Sequence, residues 1–315
     1  MGKPVVFMFS GQGSQYYQMG NELYLQNPVF REWMNRLDRI ALSMLGQSVV
    51  NQLYGQEKRK SDIFDRTIHT HPAIFMVQYA LAQILLESGI RPDLVFGVSL
   101  GEFVSAAVAG VMEAEKLLEL VNKQAVLLEG CCPDGSMLAI IDDCAVYGEI
   151  PVIYENSELA SVNYPGHFVV SGEKGKIKKI ESFLREKGII HQELPVSYGF
   201  HSSLIDPAAA RYANFLRHYH CTDAKVPIVS GLYGNIINQL PEQYFWDIAR
   251  MPMQLPKAVR ELEDMRDCLY LDLGQGTLTN FIRRNLTGDS HSEVYPIITP
   301  FGSELRCLAK VKSLF

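Results

Sequence analysis

Ser99 stands in Val95-Phe96-Gly97-Val98-Ser99-Leu100-Gly101-Glu102, where a short apolar run leads into G-x-S-x-G and then into an Ala/Val-rich stretch. A strand, that motif and a helix in succession make a nucleophile elbow, a sharp turn that holds a serine with its hydroxyl exposed. Gly97 and Gly101 meet a steric demand, because side chains flanking so tight a turn would collide. The amides that open the following helix point back at the serine and suit a developing negative charge. The chemistry implied is acyl transfer through a serine ester. A bare G-x-S-x-G is common by chance, and its flanks give it weight here.

The other reactive side chains form no comparable cluster. Cysteines 131, 132, 144, 221, 268 and 307 lack C-x-x-C spacing and read as reduced, buried thiols. Histidines occur two apart at His69/His71 and His218/His220, but no H-E-x-x-H is present. No metal is expected, and ester chemistry of this kind implies no cofactor.

These residues need a scaffold, and 315 residues at 47% hydrophobic content can build one with a large core. The net charge of -6, without a long basic run, makes nucleic acid an unexpected partner. No apolar stretch reaches the roughly 18 residues that span a bilayer. The opening residues lack the apolar run of a signal peptide and carry Val6 where a myristoylation signal needs Ser or Thr. A cytoplasmic protein with no membrane partner is the expectation.

Along the chain, 5–9 reads as a buried parallel strand, followed by a loop at 10–15, an amphipathic stretch at 16–25 and a largely helical region to about residue 90. Helical spacing covers 72–87 and 112–129. From Cys131-Cys132-Pro133 the pattern changes to short strands at 137–141, 159–162, 168–171 and 189–194, with an irregular stretch after the first and a helix at 174–187. That suggests a small ferredoxin-like α+β insertion. The lysines at 174, 176, 178 and 179 read as a solvated helix face. The expected organisation is α/β: a hydrolase-like large subdomain with a parallel sheet (1–133 and 198–315) and an inserted small subdomain (134–197). Beyond Ser197 come strands at 227–230 and 268–273, with helices at 243–249, 256–265 and 277–284.

Four segments carry a family resemblance. Phe9-Ser10-Gly11-Gln12-Gly13-Ser14-Gln15, Gly97-Val98-Ser99-Leu100-Gly101-Glu102, Tyr198-Gly199-Phe200-His201-Ser202 and Asp272-Leu273-Gly274-Gln275-Gly276 occur in that order. Together the chain resembles malonyl-CoA:acyl-carrier-protein transacylases and the acyltransferase domains of polyketide and fatty-acid synthases. The resemblance implies Ser99 as nucleophile and His201 as general base, in a dyad whose imidazole is oriented by a backbone carbonyl, here placed near Ile248. Backbone amides of Gln12 and Leu100 would form the oxyanion hole, where losing a donor costs about 3 kcal/mol of barrier. Asn163 matches an asparagine that faces the family's cleft, and turn formation with Tyr164-Pro165-Gly166 explains it equally well. An α/β-hydrolase reading would use the order Ser…Asp…His with Asp142 or Asp143. The Gln12 loop and the insertion between serine and histidine fit that reading less well.

Departures from the family pattern bear on substrate. Members that use malonyl groups place an arginine at the position of Gln124, to grip the carboxylate. Glutamine has neither the charge nor the paired donors of a guanidinium. Lys123 is turned about 100° away on a helix. A neutral acyl group is therefore expected. Val98 replaces a histidine common in the family and makes the pocket more apolar. Phe200 and Tyr198 flank His201 in a segment tied to acyl size. Gln124 and the segments at 7–17 and 197–207 further resemble the stand-alone acyltransferase homologues of trans-acyltransferase polyketide synthases. That implies hydrolysis of stalled acyl groups from the phosphopantetheine of acyl carrier proteins. Transfer of a neutral acyl or malonyl group between CoA and carrier is the alternative, and a catalytically silent carrier-binding protein a third.

Overall fold

The computed structural model describes residues 2–315; Met1 lies outside them. Its strands are β1 (Val5–Phe9), β2 (Leu94–Gly97), β3 (Gly135–Ile140), β4 (Glu158–Tyr164), β5 (His167–Glu173), β6 (His191–Glu193), β7 (Ile228–Ser230), β8 (Asn235–Ile237), β9 (Met253–Gln254), β10 (Leu269–Asp272) and β11 (Glu293–Pro296). The larger sheet runs β11-β10-β1-β2-β7-β8. All its pairings are parallel except β7–β8, so an antiparallel edge strand, not expected from the sequence, closes one side. Alternation along β1 sorts its side chains: Val5, Phe7 and Phe9 enter one apolar layer, Val6 and Met8 the other. Burial on both faces explains why these strands read as continuous apolar runs.

Two helices differ from expectation. The amphipathic stretch at 16–25 is helical only over Asn21–Gln26, because Gln18 (φ 67°) and Gly20 (φ 73°) take left-handed conformations that a helix cannot absorb. The expected helix at 72–87 begins earlier, at Thr67, with the His69 and Thr70 amides bonding to the Arg66 carbonyl. Pro72 then falls inside the helix, past its first turn, where it has no N–H to give the Ile68 carbonyl.

The smaller sheet runs β6-β3-β5-β4-β9. Its first four strands, with the helices Ala145–Glu149 and Pro151–Tyr154 after β3 and the helix Lys174–Lys187 after β5, form a ferredoxin-like βαββαβ unit. The fifth strand, β9, joins from far along the chain and pairs parallel with β4. Ile177, Ile180 and Leu184 pack on Leu138, Ile140, Phe168 and Val170, leaving Lys174, Lys176, Lys178 and Lys179 exposed. Met137, Ala139 and Val169, on the opposite face of this sheet, turn toward the larger subdomain and line a cleft.

Among the described residues no helix is long and apolar enough to cross a membrane. All six cysteines are free, but only Cys268 is buried and Cys221 is exposed, so the buried reading holds for one of them.

Candidate active site

The elbow forms where β2 ends and the helix Gly101–Val108 begins. Ser99 has φ 53°, a conformation that costs a non-glycine residue energy and that tight packing must hold. A Cβ on Gly97 would lie 2.5 Å from the Cα of Glu102, and one on Gly101 would run into the carbonyl of Phe9. Only glycine fits at either place.

Ser99 Oγ lies 3.0 Å from His201 Nε2, and His201 Nδ1 lies 2.8 Å from the Met251 carbonyl. A carbonyl only accepts, so Nδ1 carries the hydrogen and Nε2 is left to take the proton of Ser99. His201 is 5% exposed and also left-handed, at φ 60°, with its amide bonded to the Ala249 carbonyl at 2.8 Å. Burial pushes its pKa down to about 4; the Met251 carbonyl opposes that shift and the Arg250 charge adds to it. The orienting carbonyl is thus Met251's and not that of Ile248. Ile248 lies inside the helix Tyr244–Arg250, whereas Met251 just past its end is extended and presents its carbonyl sideways.

The Gln12 loop reaches the elbow because Gly11 permits it: a Cβ there would sit 2.7 Å from the Val98 carbonyl and 2.9 Å from Ser99 Cβ. Buried Gln78 fixes the loop, accepting from the Ser10 amide (2.7 Å) and donating to the Ser10 carbonyl (2.9 Å). Among the described residues neither the Gln12 nor the Leu100 amide has an acceptor. Two unspent donors beside a serine are what an oxyanion requires.

Ser99 sits between two spaces. An outer cleft of about 410 Å³ is lined by Val98, Asn163, His167, Phe200, Met253 and Phe281 among others. On the other side is a small inner cavity bordered by Gln12, His71, Leu100, Gln124, Phe200 and Ile248. It offers about 10 Å³ to the centre of a water-sized sphere, room for one water or one methyl group. Gln124 is 2% exposed and donates from Nε2 to the Phe245 carbonyl at 3.2 Å. Lys123 points elsewhere, its ammonium 5.4 Å from the Phe215 ring. Among the described residues no arginine or lysine lines either space.

Asn163 reaches the cleft and also spans the turn, its amide nitrogen 3.0 Å from His167 Nδ1. Tyr198 borders neither space and packs against the main core instead. Asp142 and Asp143 cap the backbone of their own turn. With the Met251 carbonyl on His201, the hydrolase-type acid is not part of this site.

Three residues here escaped the sequence reading: Met251, His71 and His167. A backbone carbonyl leaves no side-chain signal, and neither the His69/His71 pair, without metal spacing, nor the isolated His167 pointed to a cleft. Glu102 was quoted only as part of the elbow. Its buried carboxyl accepts from the Leu232 amide (2.9 Å), Ser230 Oγ (3.0 Å) and the Tyr244 hydroxyl. The start of the elbow helix is thereby tied to the helix whose far end holds His201. Burial pushes Glu102 up to about 8, against the lowering effect of those donors.

The family description "Acyl transferase domain" matches residues 6–272. The chain is 48% identical to the polyketide biosynthesis acyltransferase homolog PksD of Bacillus subtilis (strain 168), over 99% of this chain and 97% of that one. It is 47% identical, with the same coverage, to the polyketide biosynthesis acyltransferase homolog BaeD of Bacillus velezensis. Among solved structures, the acyltransferase domain from the second module of the salinomycin polyketide synthase superposes with TM-score 0.85 at 27% identity, covering 98% of this chain and 72% of that one. Elbow, fold and similarity agree: the chain belongs to the acyl transferase domain family.

Proposed function

We propose that this protein is an acyl hydrolase that clears stalled neutral acyl groups from the phosphopantetheine of acyl carrier proteins in polyketide biosynthesis. The observation that carries the reading is Gln124, an uncharged amide buried at the inner end of the site, with no cation lining either space. A carboxylate brought there would be desolvated without a partner, at a cost of several kcal/mol. A plain acyl group meets no such penalty.

The steps follow from the dyad. His201 Nε2 takes the Ser99 proton as Oγ attacks the thioester carbonyl, and the Gln12 and Leu100 amides receive the oxyanion. The C–S bond breaks and the carrier thiol leaves with the proton from His201. Water then attacks the serine ester, His201 takes its proton, and the carboxylic acid is released with Ser99 restored. A second thiol in place of that water gives transfer, the reaction of the acyltransferases to which the relatives are named as homologues.

Acetyl carrier protein incubated with the enzyme and CoA separates the two. Free acetate in step with loss of acetyl carrier is expected; acetyl-CoA without acetate would replace hydrolysis by transfer. A serine-directed fluorophosphonate should label the wild type and not Ser99→Ala, with turnover falling at least about a thousandfold in the variant. A wild type that neither takes the label nor turns over any acyl carrier would leave a silent carrier-binding protein, and equal labelling and activity in the variant would remove Ser99 as the nucleophile.

A further inference from the structure

His71 is 2% exposed and borders the inner cavity, its ring centroid 5.4 Å from that of Phe200. Neither ring nitrogen has a hydrogen-bond partner among the described residues, and the buried Oε1 of Gln12 on the same cavity has none either. The other end of the Gln12 amide is fixed, Nε2 donating to Thr70 Oγ1 at 2.9 Å. Buried polar atoms that stay unpaired are costly, so such a cluster beside a nucleophile calls for a partner. Burial pushes His71 down to about 3, so the ring is neutral, with one N–H donor and one acceptor nitrogen. Gln12 Oε1 is a second acceptor. The group that complements them must be small, uncharged and able both to accept and to donate. A methyl fits the space and pairs with nothing; a carbonyl accepts and leaves the acceptors unmet. A water does both, and so does an alcohol that displaces it, which alone among acyl substituents restores the bonds the water would make.

We propose that the inner cavity selects short acyl groups bearing a hydroxyl at C2 or C3, and that His71 is the residue that reads the hydroxyl. The inference rests on Ser99 forming an acyl ester and names the substrate class of that same site. A site built to bond a hydroxyl discriminates against the analogue lacking it, because its own polar groups then go unpaired. Longer chains have the outer cleft open to them, but not this cavity.

The test uses full-length protein and pantetheine thioesters in matched pairs, lactyl against propionyl and 3-hydroxybutyryl against butyryl. Each pair is compared by kcat/KM for wild type, His71→Leu and His71→Gln. In at least one pair the wild type should prefer the hydroxylated member by tenfold or more. His71→Leu should bring that ratio to within about twofold by lowering the hydroxylated substrate alone, and His71→Gln, which keeps a donor and an acceptor, should restore most of it. Equal wild-type rates in both pairs, or an unchanged ratio in His71→Leu, overturns the proposal even if the leucine variant folds poorly, since the first result needs no variant. Cleavage of acetyl pantetheine without hydroxyl preference sinks this inference alone. Failure to acylate Ser99 with any of these thioesters removes the parent reading as well.

Discussion

In the proposed reaction His201 meets Ser99 as a neutral base, because two features act on one ring. The Met251 carbonyl fixes the hydrogen on Nδ1, and burial disfavours the imidazolium. A base is lost when it is protonated, so kcat/KM should hold as pH falls through 6.5 and decline only near pH 4. An acid limb centred between 6 and 7 would contradict that environment. Gln124 carries the second residue-scale expectation. Gln124→Arg supplies a charge-assisted donor pair worth about 1.5–3 kcal/mol. Malonyl loading of Ser99 relative to acetyl, read by intact-protein mass, should rise about tenfold or more. An unchanged ratio would show that Gln124 does not set charge selectivity.

At the scale of elements, the elbow works because β1, β2 and the helix Gly101–Val108 approach closer than side chains allow. Gly101 is pressed on the Phe9 carbonyl, and Gly97 on the first turn of the helix. Gly101→Ala should cost about 1–3 kcal/mol in urea unfolding and slow serine labelling more than a surface alanine would. Full labelling at wild-type stability would mean that the elbow relaxes freely. The spacing of Gly97, Ser99 and Gly101 was legible in the sequence because the constraint is local. Ile248 was misplaced as the orienting residue because that choice depends on where a helix stops, and helix ends shift by a residue or two with tertiary context.

Across the whole molecule, the two halves of the dyad come from different sides of the small subdomain and are tied together away from the cleft. Glu102 at the elbow bonds to Tyr244 and Leu232. Arg250, beside Met251, pairs with Asp206 and with Glu158 on β4. β9 completes the small sheet two residues after the Met251 carbonyl. A carboxyl raised from 4.5 to about 8 on folding contributes its stability in full below pH 4.5 and loses it as the pH climbs to about 8. Glu102→Gln cannot titrate. The difference in Tm, wild type minus variant, should therefore fall steadily from pH 5 to pH 8, while His71 and His201 are common to both and cancel. A difference flat with pH would show that Glu102 is ionised in the native state.

The sequence alone determined the elbow, the pairing of Ser99 with His201 through family likeness, the ferredoxin-like pattern of the insertion and the amide at position 124. Each is written in local spacing, or in motifs whose order survives without coordinates. Tertiary structure decided what depends on distant segments meeting. Met251 rather than Ile248 orients the base, Tyr198 stays out of the cleft, and β9 crosses to the small sheet. His71, on the helix that starts at Thr67, lies buried against the inner cavity. Main-chain groups and the direction of a buried ring carry no mark in the order of residues, since their partners are chosen only when the chain packs.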